Sequence, residues 1–262
     1  MKRSLVDKDQ PILILDSGMG GVIVEKRLRE EYKHENFVIL LDNEFMPYGQ
    51  KTNSELKKRI SSLTKKIKEI RPKAIIVACN TIDNVTLEVI TSSIVHIPTI
   101  SIIKPTMKRA IELSKTKNIA VLATESTIQN QGYLYAGGLF GKDVHIYGVE
   151  CPNLALAIEN NKDIKETFLE ETSILKDIEF DTLVLGCTHY SRVNALVNKY
   201  FSDKTIVDST VEILEESKKG LELINKRQEH KDGNTSILLT SENVPDYINK
   251  LYKDTEIDII SI

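Results

Sequence analysis

Three observations predict an α/β fold of two similar lobes with mostly parallel sheets flanked by helices. Short β-branched runs alternate with longer amphipathic stretches, the pattern of βα units around a parallel sheet. "ILILDSG" at 12–18 has a counterpart in "IAVLATE" at 119–125, and "KAIIVACNT" at 73–81 has one in "DTLVLGCTH" at 181–189. The internal spacings agree as well, since Ser17 precedes Cys79 by 62 residues and Thr124 precedes Cys187 by 63. Two lobes related by a pseudo-two-fold and facing each other across a cleft are the simplest account.

The elements follow in order. The opening "MKRSLVDKDQ" is basic but carries Asp7 and Asp9, with Pro11 next, and only a short apolar run follows, so neither a secretory leader nor a membrane span is expected. Strands are predicted at 12–15, 37–42, 73–78, 99–103, 118–123, 144–149, 181–186 and 204–207, with helices in most intervals. The Lys- and Glu-rich stretches 53–70 and 162–178 place apolar residues at helical spacing, which makes their charges solvated faces. After 208 come a long helix, "SILLT" at 236–240, and a further helix and strand that return to the first lobe. The expected division is 1–100 plus 208–262 for one lobe and 101–207 for the other, with no Pro-, Gly- or Ser-rich linker between them.

Composition narrows the function. A chain of 262 residues can bury roughly 70–75% of its unfolded surface without staples. A net charge of -3 argues against nucleic acid or an anionic membrane as the main partner and leaves small molecules open. Three cysteines without CxxC spacing make no disulfide framework, and their scarcity suits a reducing cytosol, so a cytoplasmic protein is expected.

Cys79 and Cys187 both fall just beyond predicted strands, where open α/β sheets bind ligands. A thiol with a reference pKa of about 8.5 serves as acid or base near neutrality. Two thiols across a cleft can therefore take a proton from one face of a carbon and return one to the other, inverting a stereocentre with no cofactor. A lone buried cysteine is more often a small hydrophobe; the matched pair, each followed by polar residues, points to chemistry. Asp16 and His189 stand where a carboxylate and an imidazole could assist the two thiols, with a helix N-cap and a surface histidine as the less favoured readings of each alone. "DSGMGG" at 16–21 matches neither a Walker loop nor G-x-G-x-x-G. By itself it is turn chemistry; with Ser17, Asn80, Thr81 and Thr188 it offers donors for carboxylate oxygens. "MPYGQ" at 46–50 is a turn or a loop in which Tyr48 and Gly49 close over a ligand. Cys151 is expected to be structural, His34, His96, His145 and His230 stand in no constellation, and no normal zinc spacing is present.

Taken together and in order, "LDSGMGG", "PYG", "VACNT", "TEST" and "LGCTHY" resemble the cofactor-independent glutamate racemases of the Asp/Glu racemase superfamily, over nearly the whole chain. The resemblance implies that Cys79 and Cys187 are the acid–base pair, that Asp16 and His189 assist them, and that Asp42 and Glu159 give further acidic support. It implies substrate contacts from Ser17, Pro47, Tyr48, Gly49, Asn80, Thr81, Thr124, Thr127 and Thr188, besides Asp16 and His189. It further implies two α/β domains with the site between them, glutamate as the small-molecule partner, no cofactor, a homodimer, and a D-glutamate product used for peptidoglycan. The sequence departs from the pattern at Asn43, in "NTID" at 80–83 and at Ser191, which bears on substrate fit and loop geometry rather than on the thiols. A racemase or isomerase for aspartate or another small carboxylate, and a catalytically silent amino-acid-binding regulator, are the alternatives.

Overall fold

The computed structural model describes residues 9–141, 143–224 and 232–262; the basic segment before residue 9 and His230 lie outside them. In chain order the elements are β1 (Ile12–Asp16), α1 (Met19–Glu31), β2 (Phe37–Leu41), α2 (Asn53–Ile70), β3 (Ala74–Val77), α3 (Asn80–Ser93), β4 (Thr99–Ile100), α4 (Ile103–Leu113), β5 (Asn118–Ala123), α5 (Glu125–Gln129) and α6 (Gly132–Phe140). Then follow β6 (His145–Glu150), α7 (Leu154–Glu159), α8 (Ile164–Glu171), β7 (Thr182–Leu185), α9 (Asn194–Tyr200), β8 (Thr205–Asp208), α10 (Ser209–Ile224), β9 (Thr235–Leu239), α11 (Asp246–Leu251) and β10 (Ile257–Ile259).

The strands form a six-stranded sheet in the order β10-β9-β2-β1-β3-β4 and a four-stranded sheet in the order β6-β5-β7-β8. Every strand pairing among the described residues is parallel. Without the two C-terminal strands, the order 2-1-3-4 recurs as 6-5-7-8, so the repeat read in the sequence is a repeat of topology. β1 and β5 are equivalent, as are β3 and β7. The switch point, where the chain winds outward in both directions, falls between β1 and β3 in one sheet and between β5 and β7 in the other, and ligands bind beyond such points.

Strands covered on both faces need apolar residues at every position, which is why the runs do not alternate. Ile12 and Ile14 of β1 meet Ile119, Val121 and Ala123 of β5 and Met107 of α4 in one shared core. Leu13 and Leu15 face the opposite way, onto Leu56, Ile60, Leu63 and Ile67 of α2. Ala120 and Leu122 point to Leu154, Ile158 and Phe168 of α7 and α8. Each fully buried Leu or Ile is worth about 1.5–3 kcal/mol, and the shared core ties the two sheets together. The C-terminal return adds β9 beside β2 and packs Ile248 and Tyr252 on Val22, Ile39 and Leu41. No helix among the described residues is long and apolar enough to cross a membrane.

Two expected elements differ. The strand expected at 99–103 stops at Ile100, because Asp83 accepts the Ser101 hydroxyl and the Ile103 N–H and turns the chain into α4. The helical stretch at 162–178 is α8 followed by a 3-10 turn at Ser173–Asp177.

Candidate active site

Cys79 is the residue before α3, just past β3, and Cys187 opens the 3-10 turn Thr188–Val193, just past β7. Ala78 N–H bonds the Leu15 carbonyl at 3.0 Å and Gly186 N–H bonds the Leu122 carbonyl at 2.7 Å, so each cysteine leaves its sheet beside the central strand. Both thiols are buried and both line one narrow cavity of about 30 Å³ between the lobes. Ser17, Pro47, Tyr48, Gly49, Asn80, Thr81, Thr124, Thr188 and His189 complete its expected walls, joined by Met46, Pro152, Ala155 and Leu156.

The carboxylates stand one layer behind. His189 Nδ1 faces the Cys187 sulfur at 3.7 Å, and its Nε2 meets Glu159 Oε2 at 2.7 Å. Burial pushes the imidazole pKa down, but the bonds to Cys187 and Glu159 outweigh it and hold the ring well above the ordinary value. For Glu159 burial acts upward, and the bond and charge of His189 bring the carboxyl below its usual range. Both shifts favour the charged pair, an imidazolium against a carboxylate. Glu159 Oε2 also accepts the Met19 N–H at 3.2 Å, capping α1 from the other lobe; that helix has no side-chain cap of its own and no acidic residue in its first turn.

Cys79 has different company. Its sulfur lies 3.8 Å from Ser17 Oγ, and burial, followed by the charge of Asp16, pushes its thiol far up. Asp16 is fully buried and accepts the Ser17 N–H at 2.6 Å and the Thr188 hydroxyl at 3.2 Å. Burial raises its carboxyl to about 6, against the lowering pull of His189. Gly20 permits this contact between lobes: a Cβ there would sit 1.9 Å from Thr188 Oγ1 and 2.5 Å from Asp16 Oδ2.

Thr81, Thr124 and Thr127 form a triangle of hydroxyls across the lobes, with sides of 2.9, 3.2 and 3.0 Å. Thr127 stands behind the cavity wall, and Gly49 is pressed against Thr124, where a Cβ would come within 2.6 Å. The Asn80 side chain is held from behind, its Oδ1 accepting the Tyr133 hydroxyl at 2.6 Å and its Nδ2 donating to Ser209 Oγ at 3.3 Å.

Asp42, expected beside the other acids, bonds neither thiol. It receives Arg59 Nη2 at 2.6 Å and Nε at 2.9 Å, the Thr240 hydroxyl at 2.7 Å and the Tyr48 hydroxyl, so it acts on the cavity by fixing Tyr48. Sequence reasoning missed Arg59, Tyr133 and the apolar wall from Met46, Pro152, Ala155 and Leu156. Cys151 is fully buried outside the cavity, as expected of a structural cysteine.

The arrangement offers two sulfurs lining one cavity, a histidine–glutamate pair behind one and a hydroxyl–carboxyl pair behind the other. The family model for Asp/Glu/Hydantoin racemase matches residues 23–216. Glutamate racemase 1 of Caldanaerobacter subterraneus subsp. tengcongensis is 31% identical, with 98% of both chains covered. The glutamate racemase of Staphylococcus epidermidis is 34% identical over 79% of this chain and 80% of that one. Among solved structures, a glutamate racemase isoform from Bacillus anthracis has a TM-score of 0.89 at 26% identity, covering 97% of this chain and 98% of its own.

Proposed function

Because this chain belongs to the Asp/Glu/hydantoin racemase family, we propose that it interconverts L- and D-glutamate by moving the α-proton between Cys79 and Cys187, without a cofactor. The observation that carries the reading is the pair of thiols at equivalent strand ends, lining one cavity, each backed by its own acid–base partner.

Glutamate lies with its α-carbon between the sulfurs. The deprotonated thiol on the side of the α-hydrogen takes that proton and becomes a neutral thiol. The electron pair left on carbon spreads into the α-carboxylate, where hydroxyls of Ser17, Thr81, Thr124 and Thr188 and N–H groups at the start of α3 donate hydrogen bonds. The opposite thiol then gives its proton to the other face, and the stereocentre is inverted with no outside electron acceptor or donor. The enantiomers present their α-hydrogens to opposite walls, so each thiol is the base for one of them. On one side the charged His189 ring donates from Nδ1 toward the Cys187 sulfur and favours its thiolate, while Glu159 on Nε2 favours the charged ring; on the other, Ser17 is the nearest partner and Asp16 stands behind it. The cavity is smaller than glutamate, so the lobes part to admit substrate.

The lobes comprise 1–100 with 208–262, and 101–207. The protein works in the cytoplasm as a homodimer and supplies D-glutamate for peptidoglycan. Incubating purified protein with L-glutamate in deuterated water, while following optical rotation and the α-proton NMR signal, tests the chemistry. Both signals should decay, and both should persist in Cys79→Ala and Cys187→Ala. Undiminished racemisation in either variant would refute the two-thiol mechanism, and decay with aspartate alone would move the substrate. Sedimentation of the purified protein at the mass of a single chain would overturn the dimer.

A further inference from the structure

The first turn of α3, immediately after Cys79, touches both places where the chain passes between the lobes. The outward passage is Ser101–Ile103, between β4 of the six-stranded sheet and α4, which leads to β5 of the other. Asp83 Oδ2 accepts the Ser101 hydroxyl at 2.8 Å and the Ile103 N–H at 2.9 Å. The return passage is at Asp208–Ser209, between β8 and α10, and Ser209 receives Asn80 Nδ2. Asp83 is also fixed to the thiol-bearing residue, since its own N–H donates to the Cys79 carbonyl at 2.9 Å. Its carboxyl is buried, and Oδ1 has no hydrogen-bond partner among the described residues. Burying a carboxyl with one oxygen unpaired costs stability, and its other oxygen holds the passage into α4.

We propose that Asp83 is a positioning residue for the racemisation argued above: by clamping the Ser101–Ile103 passage to the turn that follows Cys79, it sets the distance between the two thiol-bearing walls. It touches no substrate. It belongs to "NTID", a stretch where the sequence departs from the pattern it otherwise resembles.

The test uses the whole protein and two readouts, kcat for glutamate in both directions and the iodoacetamide alkylation rate of each thiol, followed by peptide mass spectrometry. The second readout needs no substrate, so it stands even if glutamate proves not to be turned over. Asp83→Ala should lower kcat about 30-fold or more, because misplacing reacting groups by about 1 Å costs up to about 10²-fold. It should also speed alkylation of both cysteines at least about fivefold as the walls separate. Asp83→Asn, whose amide oxygen still accepts from Ser101 and Ile103, should return both readouts to within about threefold of the parent. Ser101→Ala should show a partial effect that does not add to that of Asp83→Ala, and it serves in place of Asp83→Ala if that variant does not fold. A lowered melting temperature with kcat and alkylation unchanged in folded protein would overturn the proposal. So would an asparagine variant as impaired as the alanine one, or additive effects at 83 and 101.

Discussion

Replacing Glu159 by Gln removes one charge from a buried pair while keeping the shape of the side chain. His189 Nε2 and Glu159 Oε2 are 2.7 Å apart, and the two side chains are only 5% and 6% exposed. Removing one partner of such a pair costs about 3–5 kcal/mol. Loss of the imidazole's proton, which burial favours once the carboxylate is gone, offsets part of this. A loss of about 3 kcal/mol is therefore expected in urea denaturation near neutral pH. The dependence on pH has two parts. Glu159 is lowered, so its contribution is present above the ordinary carboxyl value of 4.5 and is lost as pH falls below it. His189 is raised, so its contribution is full below the ordinary imidazole value of 6.5 and is lost as pH rises through the folded value. The deficit of the variant is thus largest between pH 4.5 and 6.5. On the proposed two-thiol mechanism, proton transfer through Cys187 loses its charged assistant, and kcat should fall about 10²-fold, the low end of what a positioned acid–base group contributes. Enantiomers have equal free energies in water, so kcat/KM must fall by the same factor in both directions, an internal check on the circular-dichroism assay. A variant within about twofold in kcat and about 0.5 kcal/mol in stability would refute the charged pair and the reasoning built on it.

For Asp16→Asn, the carboxyl raised from 3.8 to about 6 makes native Asp16 stabilising below the lower value and progressively less so as pH rises through the upper one. The parent should lose about 3 kcal/mol relative to the variant as pH rises from about 4 to about 7, since each tenfold change in proton affinity between the folded and unfolded chain is worth about 1.36 kcal/mol; a difference that stays flat in urea titrations would contradict it. Gly20→Ala forces a methyl into Thr188 Oγ1 and Asp16 Oδ2, so kcat should drop by about 10²-fold while far-UV circular dichroism remains that of the parent, and retained activity would count against the close approach. Arg59→Met leaves Asp42 buried without its guanidinium, at a cost of about 3–5 kcal/mol with a raised KM as Tyr48 loosens. Adding Asp42→Asn should recover most of the stability, and no recovery would disprove the pairing.

Much of this was legible in the chain because buried parallel strands write themselves as β-branched runs and because the repeat carried its cysteines along. Cys79, Cys187 and the hydroxyls beside them stand at strand ends, a place that sequence order alone fixes. What could not be read depends on which distant residue meets which. That β9 pairs with β2 is a property of tertiary packing, and 37–42 and 236–240 bear no mark of it. Arg59 lies on a helix otherwise patterned as a solvated face, yet its guanidinium folds back onto Asp42. Tyr133 sits in an apolar helix and shows its use only when its hydroxyl meets Asn80. The strand expected through 103 was cut short by a carboxylate 20 residues earlier, beyond the range of any local pattern.

The recurrence of 2-1-3-4 as 6-5-7-8 carries a consequence for how an enzyme can treat mirror images. Two identical half-length chains assembled about a true dyad could also oppose two thiols, but every neighbour would then be duplicated. Any carboxylate behind one sulfur would stand behind the other. Joining the halves in one polypeptide lifts that restriction. Ala123 occupies the place of Asp16, and Thr81 the place of His189, so the halves share a backbone plan while their sulfurs keep different company. The substrate's two hands demand equal equilibrium treatment, and thermodynamics supplies that by itself. The protein is free to reach each hand with a different tool.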